Sequence, residues 1–272
     1  ITGCSTGIGY ATAKYLKEKK YKVIASCRKN KDVNKLSKEF DYSIQLDTSS
    51  SKSINKAHIL IKKIVKNNLI YGIFCNAGYG QFGAVEDLTR DLICEQFETN
   101  IFGHIELVNL FIPLMRKQNE GRIIFNSSVL GLVSLPFSSA YNATKFAMEA
   151  FARSLRLELN RTNIKVSLIE PGPIEADFNI NALKNLKRIK INESVYKKKY
   201  KKMMEYLEHG NDFFTLPALS VAKKVYIALK SKNPKAQYYV TVPTYVLSYL
   251  RVLPNPIFEN FLSLLDNLRK KI

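Results

Sequence analysis

The sequence predicts a single three-layer α/β domain, a doubly wound parallel sheet with helices on both faces. Three observations predict it. Short apolar runs enriched in β-formers alternate with longer stretches of helical periodicity, the order that builds right-handed crossovers. A glycine-rich turn, Gly3 to Gly9, opens the chain and leads directly into a helical pattern. Polar motifs recur at the carboxyl ends of the apolar runs, where open α/β sheets bind ligands.

Composition sets the outer bounds. A chain of 272 residues can bury a sizeable core, so one large domain is expected rather than two small ones. The cysteines at 4, 27, 75 and 94 are scattered, with no C-x-x-C and no metal-ligand cluster. Reduced thiols in a cytosolic compartment, and no metal, are the expectation. No signal peptide or apolar run of transmembrane length is present in the sequence. The net charge of +19 is mostly lysine, in a chain also rich in Ile and Asn. Biased base composition can produce that excess, and basic runs are usually solvated faces. No aromatic stacking pattern or nucleic-acid module accompanies it, which argues against a nucleic-acid binder.

The elements follow in order. Gly3, Ser5, Thr6, Gly7, Ile8 and Gly9 form the turn, which presents bare backbone N–H groups and a helix N-terminus to a pyrophosphate. Its helix runs to Lys19. A strand should precede such a turn, so the sequence is expected to lack part of that first strand. Lys22 to Cys27 is the next strand-like run, and it ends Ser26-Cys27-Arg28-Lys29 without the acid that would bind the ribose hydroxyls of NAD. The guanidinium of Arg28 suits a phosphate instead, which points to the 2′-phosphate of NADP. A strand at Tyr42 to Leu46 ends in Asp47, and a serine-rich start caps a helix reaching about Asn67. The strand Leu69 to Cys75 ends in Asn76-Ala77-Gly78, small residues that let a ligand or backbone approach. A helical stretch from Arg90 to Lys117 is interrupted near Asn100, which lies among Phe97, Ile101 and Phe102 and could be a satisfied core amide.

The densest chemistry lies between Ile123 and Lys145. A buried strand ends at Ser127-Ser128, and a helix from Ala140 to Leu159 carries Tyr141 and Lys145 four residues apart on one face. The same Tyr/Lys spacing occurs at Tyr10/Lys14, Tyr15/Lys19 and Tyr226/Lys230. Only the Tyr141 instance has a strand ending in serine at a suitable distance upstream. A strand at Ile164 to Ile169 then leads into Glu170-Pro171-Gly172-Pro173-Ile174, and Gln237 to Val242 completes the sheet.

These motifs in this order resemble the short-chain dehydrogenase/reductase family over nearly the whole chain, a Rossmann-type fold. The elements are T-G-x-x-x-G-I-G (Thr2 to Gly9), Asp47, N-A-G (Asn76 to Gly78), Asn100, Ser128, Tyr141 with Lys145, and P-G-P-I (Pro171 to Ile174). The resemblance implies hydride transfer with Tyr141 as general acid, or as base toward an alcohol. Ser128 would bond the substrate oxygen. Lys145 would hold the nicotinamide ribose, and Asn100 would hold a water linking Lys145 to solvent. Lys145 and the oxidised nicotinamide would together lower the phenol's pKa. Asp47 would meet the adenine amino group, and Asn76, Ala77, Gly78, Pro171, Gly172 and Ile174 would line the cofactor cleft. Lys20 stands where relatives usually carry the glycine ending the first helix. Ala176 stands where they often carry a threonine that holds the carboxamide.

Residues 177–214 are expected to form an amphipathic lid of helical spacing, rich in lysine, over an apolar substrate pocket; the apolar stripe fits ordinary core equally well. The tail, 243–272, places Phe258, Phe261, Leu262 and Leu265 on one helical face and ends Arg269-Lys270-Lys271. It could lie on a membrane surface, pack on a partner subunit or cover the substrate mouth. The resulting expectation is a cytoplasmic, homo-oligomeric NADP(H)-dependent oxidoreductase of hydrophobic ketones or aldehydes and their alcohols, with possible peripheral membrane contact. Tails of this kind resemble steroid- and retinoid-type dehydrogenases and bacterial aldehyde reductases. The alternatives are a 3-oxoacyl thioester reductase and a non-catalytic NADP-binding sensor.

Overall fold

The computed structural model describes residues 1–66, 69–175, 178–209 and 214–269. The first half runs α1 (Gly7–Glu18), β1 (Ile24–Cys27), α2 (Asn30–Leu36), β2 (Tyr42–Gln45), α3 (Ser51–Val65), β3 (Gly72–Cys75), α4 (Arg90–Phe97) and α5 (Gly103–Lys117). The second half runs β4 (Gly121–Asn126), α6 (Ser139–Glu158), β5 (Ile164–Glu170), β6 (Ile174–Glu175), α7 (Phe178–Leu186), α8 (Lys197–His209), β7 (Leu216–Pro217), α9 (Ala218–Lys230), β8 (Gln237–Tyr239), α10 (Val242–Leu250) and α11 (Asn255–Arg269).

The strands pair in parallel as β2 with β1 and as β3-β4-β5-β8. Residues Ile1 to Cys4 lie in the gap between these two sets. The Thr2 N–H donates to Phe74 O (3.1 Å), and the Cys4 N–H to Ser26 O (2.8 Å). The opening residues therefore take the first-strand position beside β1 and β3. Aliphatic runs form the strands because both faces are covered: β4 is buried at every residue, and Ile123 and Phe125 face one core while Ile124 faces the other.

Helix boundaries follow local chemistry. Ser50 caps α3 by accepting from the Ser53 N–H (3.3 Å), as the serine-rich start predicts. The interruption near Asn100 is a π-helical turn, Glu98–Phe102, between α4 and α5. Such turns re-aim the residues they carry. Gly103 follows because a Cβ there would stand 1.7 Å from Thr48 O. Lys20 holds the left-handed conformation (φ 67°) that a glycine would take without strain.

The lid region builds a third core of its own. Ala182, Leu186, Tyr200 and Leu207 are buried against Phe82, Ala84 and Leu92. The apolar stripe is therefore core as well as cover. In the tail, Leu262 is buried while Phe258 and Phe261 are partly exposed; the side chain of Leu265 and residues 270–272 lie outside the described residues. No helix among the described residues is long and apolar enough to cross a membrane.

Candidate active site

The strand ends converge through bonds that cross long stretches of sequence. Thr2 Oγ1 accepts from the Asn76 N–H (2.8 Å) and the Ala77 N–H (2.9 Å), while Asn76 Nδ2 donates to Thr2 O (3.0 Å). Asn126 Nδ2 donates to Asn76 Oδ1 (2.9 Å), tying β4 to the same cluster. The glycine turn closes against this wall. Gly3 has φ 70°, and a Cβ on Gly9 would stand 2.2 Å from Gly3 O. Bare backbone at the start of α1 leaves room for a diphosphate beside the helix N-terminus.

Ser128 follows β4, and its Oγ accepts from the Leu130 N–H (3.1 Å). Tyr141, on the first turn of α6, brings its hydroxyl up to Ser128. One turn on, Lys145 Nζ donates to Asn126 O (2.6 Å) and lies 5.5 Å from the centre of the Tyr141 ring. Asn126 O is its only acceptor among the described residues, so two ammonium N–H groups remain for a ligand such as vicinal ribose hydroxyls. Pro171 O accepts from the Val129 N–H (2.8 Å), which holds the Pro171–Ile174 loop beside Ser128. Gly172 lies so close to Thr241 that a Cβ would stand 2.2 Å from its Oγ1. Ile174 continues into β6, paired with Leu216 of β7. Ala176 lies outside the described residues.

Two expectations change in the structure. The Tyr141 phenol, expected to be lowered by Lys145 and the oxidised nicotinamide together, is pushed up to about 12 by burial in the protein alone, and Ser128 offsets this only in part. Phe178 and Phe82 flank its ring at 5.4 and 6.2 Å between centres. Burial also moves Lys145, down to about 8, with the Glu149 carboxylate opposing that shift. The Asn100 side chain makes a closed pair with Tyr79, accepting from its N–H (3.1 Å) and donating to its carbonyl (3.0 Å). It is thus a satisfied core amide that clamps the turn after Asn76-Ala77-Gly78. Its backbone carbonyl accepts from His104 Nδ1 (3.1 Å), and His104 Nε2 lies 3.4 Å from Thr2 Oγ1. Burial holds the imidazole near 3, so it is neutral, with Nδ1 protonated toward Asn100 and Nε2 accepting from Thr2.

At the other end of the cleft, a cavity of about 360 Å³ is lined by Ser5, Thr6, Arg28, Lys29, Asp32 and Lys184. Arg28 and Lys29 follow β1, and Lys184 reaches it from α7 of the lid. Asp47 lies beyond β2; its Oδ1 accepts from the Ser49 N–H (3.0 Å) and Ser49 Oγ (2.7 Å), leaving Oδ2 for another donor. Sequence reasoning missed Thr2 as a clamp, Asn126, His104 and Lys184. Thr2 and Asn126 sit within or beside recognised motifs and could have been found there. Lys184 is one lysine among many and carries no signal.

A sequence model described as short chain dehydrogenase matches residues 1–187. The chain belongs to the short-chain dehydrogenase family. It is accordingly an oxidoreductase acting on CH–OH groups. The Escherichia coli K12 protein called uncharacterized oxidoreductase YbbO is 37% identical over 265 residues, covering 96% of this chain and 92% of that protein. Human 17-beta-hydroxysteroid dehydrogenase type 1 is 29% identical over 278 residues, covering 97% and 83%. Among solved structures, a short-chain dehydrogenase from Streptomyces avermitilis shares the fold with a TM-score of 0.78, at 21% identity, covering 99% of this chain and 96% of that one.

Proposed function

We propose that this short-chain dehydrogenase uses NADP(H) to interconvert a hydrophobic ketone or aldehyde and its alcohol. The observation that carries the reading is the meeting of Tyr141 with Ser128 and of Lys145 with the Tyr141 ring, one turn away, all beside the glycine turn's cleft. When bound, the reduced nicotinamide supplies hydride to the carbonyl carbon. Tyr141, fully protonated at neutral pH, donates its proton to the developing alkoxide. Ser128 Oγ donates a hydrogen bond to the same oxygen and steadies its charge. Lys145 binds the ribose and lends a positive charge near the phenolate that forms. Asn100 holds a water between Lys145 and solvent.

NADP is favoured over NAD by the cations around the cavity near residue 28. Arg28, Lys29 and Lys184 face one carboxylate, Asp32, which suits a dianionic 2′-phosphate. Solved relatives of this fold hold either cofactor: a serine dehydrogenase is complexed with NADP+ and a Burkholderia phymatum enzyme with NAD. Hydrophobic substrates are favoured by the aromatic wall of Phe82 and Phe178 against Tyr141, and by relatives named as hydroxysteroid and retinol dehydrogenases. Exposed Tyr245, Tyr249, Val252 and Ile257 on α10 and its continuation support contact with a partner copy or a membrane surface.

The test is NADPH oxidation followed against a panel of aldehydes, ketosteroids and acyl thioesters. Tyr141→Phe should lower kcat by roughly 100- to 10,000-fold, the worth of a general acid, while NADPH binding persists. Unchanged turnover would remove Tyr141 from the reaction.

A further inference from the structure

Behind Lys145, two carboxyl groups meet in the core. Glu149 stands one further turn along α6, so that Tyr141, Lys145 and Glu149 share a face at four-residue spacing. Glu170 is the last residue of β5, immediately before the Pro171-Gly172 loop. Both are buried, and one amide nitrogen reaches both carboxyl groups, which brings them together. Gln237 Nε2, at the start of β8, donates to both, at 3.3 Å to Glu149 and 2.6 Å to Glu170. Glu149 Oε1 and Glu170 Oε2 are buried with no hydrogen-bond partner among the described residues.

Two buried carboxylates in contact cannot both be ionised without severe repulsion, and a carboxyl–carboxyl bond needs a proton between the oxygens. We propose that Glu149 and Glu170 share one proton and act as a positioning pair for Lys145, their single remaining negative charge keeping its ammonium charged toward the cofactor. The shared proton, with Gln237 bridging both groups, joins the helix that carries Tyr141 and Lys145 to the strand that delivers the Pro171–Ile174 loop. Chemistry and cofactor cleft are thereby held in one register.

The surrounding charges fit one net negative charge. Burial, then the neighbouring Glu149, holds the Glu170 carboxyl well above the usual carboxylate range, as a proton kept within the pair requires. Glu149 in turn raises Lys145 against the downward pull of burial. On α6, Arg153 Nη2 lies 3.9 Å from Glu149 Oε2, half exposed. Arg156, also on α6, spends its N–H groups on Val166 O (3.0 Å) and Ala236 O (3.1 Å). From the end of α10, Arg251 acts on Glu170 only as a lesser charge. The turn at Val129–Gly131 closes the fourth side; a Cβ on Gly131 would meet Ser127 Oγ at 2.7 Å and Glu149 Cγ at 3.3 Å.

The experiment compares wild type, Glu170→Gln and the double variant Glu149→Gln/Glu170→Gln. Glu170→Gln replaces a protonated acid by a neutral amide and keeps one negative charge; the double variant removes it. The first readout is Tm against pH, with no cofactor present. A carboxyl whose pKa is raised by folding binds more protons folded than unfolded, so its contribution is lost as pH rises above the ordinary carboxylate range. Wild type should therefore lose Tm between about pH 6.5 and 8 relative to Glu170→Gln. Identical slopes would overturn the shared proton.

The second readout is NADPH binding against pH by nicotinamide fluorescence. The alkaline limb, where Lys145 loses its charge, should stay near the wild-type position in Glu170→Gln. In the double variant it should move roughly one pH unit lower, as expected for removal of a close opposite charge. A merely structural pair would shift neither, and coincident limbs would overturn the influence on Lys145. This second readout rests on the proposed function. If wild type binds no NADPH, that reading fails while the Tm comparison still decides the shared proton.

Discussion

The rim of the sheet and the lid are held by different physics. At the rim, backbone N–H groups meet side chains fixed by strand ends, as where Thr2 Oγ1 accepts from both Asn76 and Ala77. Glycines stand where any side chain would collide, as at Gly9 and Gly172. The lid is fastened instead by side chains. Tyr200 donates to Asp87 Oδ2 (2.7 Å) and accepts from the Ala84 N–H (2.8 Å), and Ser194 Oγ donates to the same carboxylate (2.7 Å). Arg188 makes a bidentate pair with Glu95 at 2.7 and 2.9 Å, largely exposed. The rim therefore tolerates little change in identity, whereas the lid can trade volume and polarity for stability. Rim lesions should appear in turnover and cofactor affinity. Lid lesions should appear first in stability.

After the loss of turnover in Tyr141→Phe, the next largest effect belongs to the phosphate end of the rim. Arg28→Ala should weaken NADPH by about 10- to 100-fold, the range for losing a charge-assisted bond, and leave NADH nearly unchanged. Equal weakening of both cofactors would remove the basis for NADP preference. Lys184→Ala sharpens the comparison, because the residue sits on the lid but faces the rim's cavity. A roughly 3- to 10-fold loss for NADPH alone, that of a flexible lysine contact, would make it a rim residue in function. Unchanged affinity by titration would return it to the lid's solvated face.

Smaller effects follow in stability. Tyr200→Phe deprives Asp87 of a donor and leaves the Ala84 N–H unpaired in the core, which should cost about 1–3 kcal/mol in denaturant unfolding. Turnover should be retained below the new midpoint; if kcat falls with stability unchanged, lid and rim are not separate. Lys20→Gly relieves a left-handed lysine at the end of α1 and should add about 1 kcal/mol without touching kinetics. A destabilised variant would mean that the lysine side chain contributes more than its backbone strain.

Much of this was legible in the sequence, and particular residues mark where legibility ends. The Tyr141/Lys145 spacing reads correctly because a helix sets the direction of residues four apart. Lys20 reads correctly because the helix ends where a glycine is expected, and its backbone is left-handed. Asn100 reads in part: its place is evident, but its partner Tyr79 depends on how the turn after β3 folds back. Asp47 likewise sits where expected, while its bonds to Ser49 could not be weighed in advance. The Tyr141 phenol was expected to fall and instead rises, because spacing reveals the neighbouring charge but not the burial that outweighs it.

The amino-acid order by itself determined the alternation of strands and helices, the bare glycine turn and the face shared by Tyr141 and Lys145. Each depends on neighbours within a few residues, where chain geometry leaves few choices. Tertiary structure alone decided that Glu149 meets Glu170, that His104 bonds the Asn100 carbonyl and that Lys184 faces Arg28. Glu149 with Glu170 and Lys184 with Arg28 join residues distant in the chain, and the His104 bond depends on the π-helical turn that packing imposes; the energies come from burial, which exists only once the layers have packed.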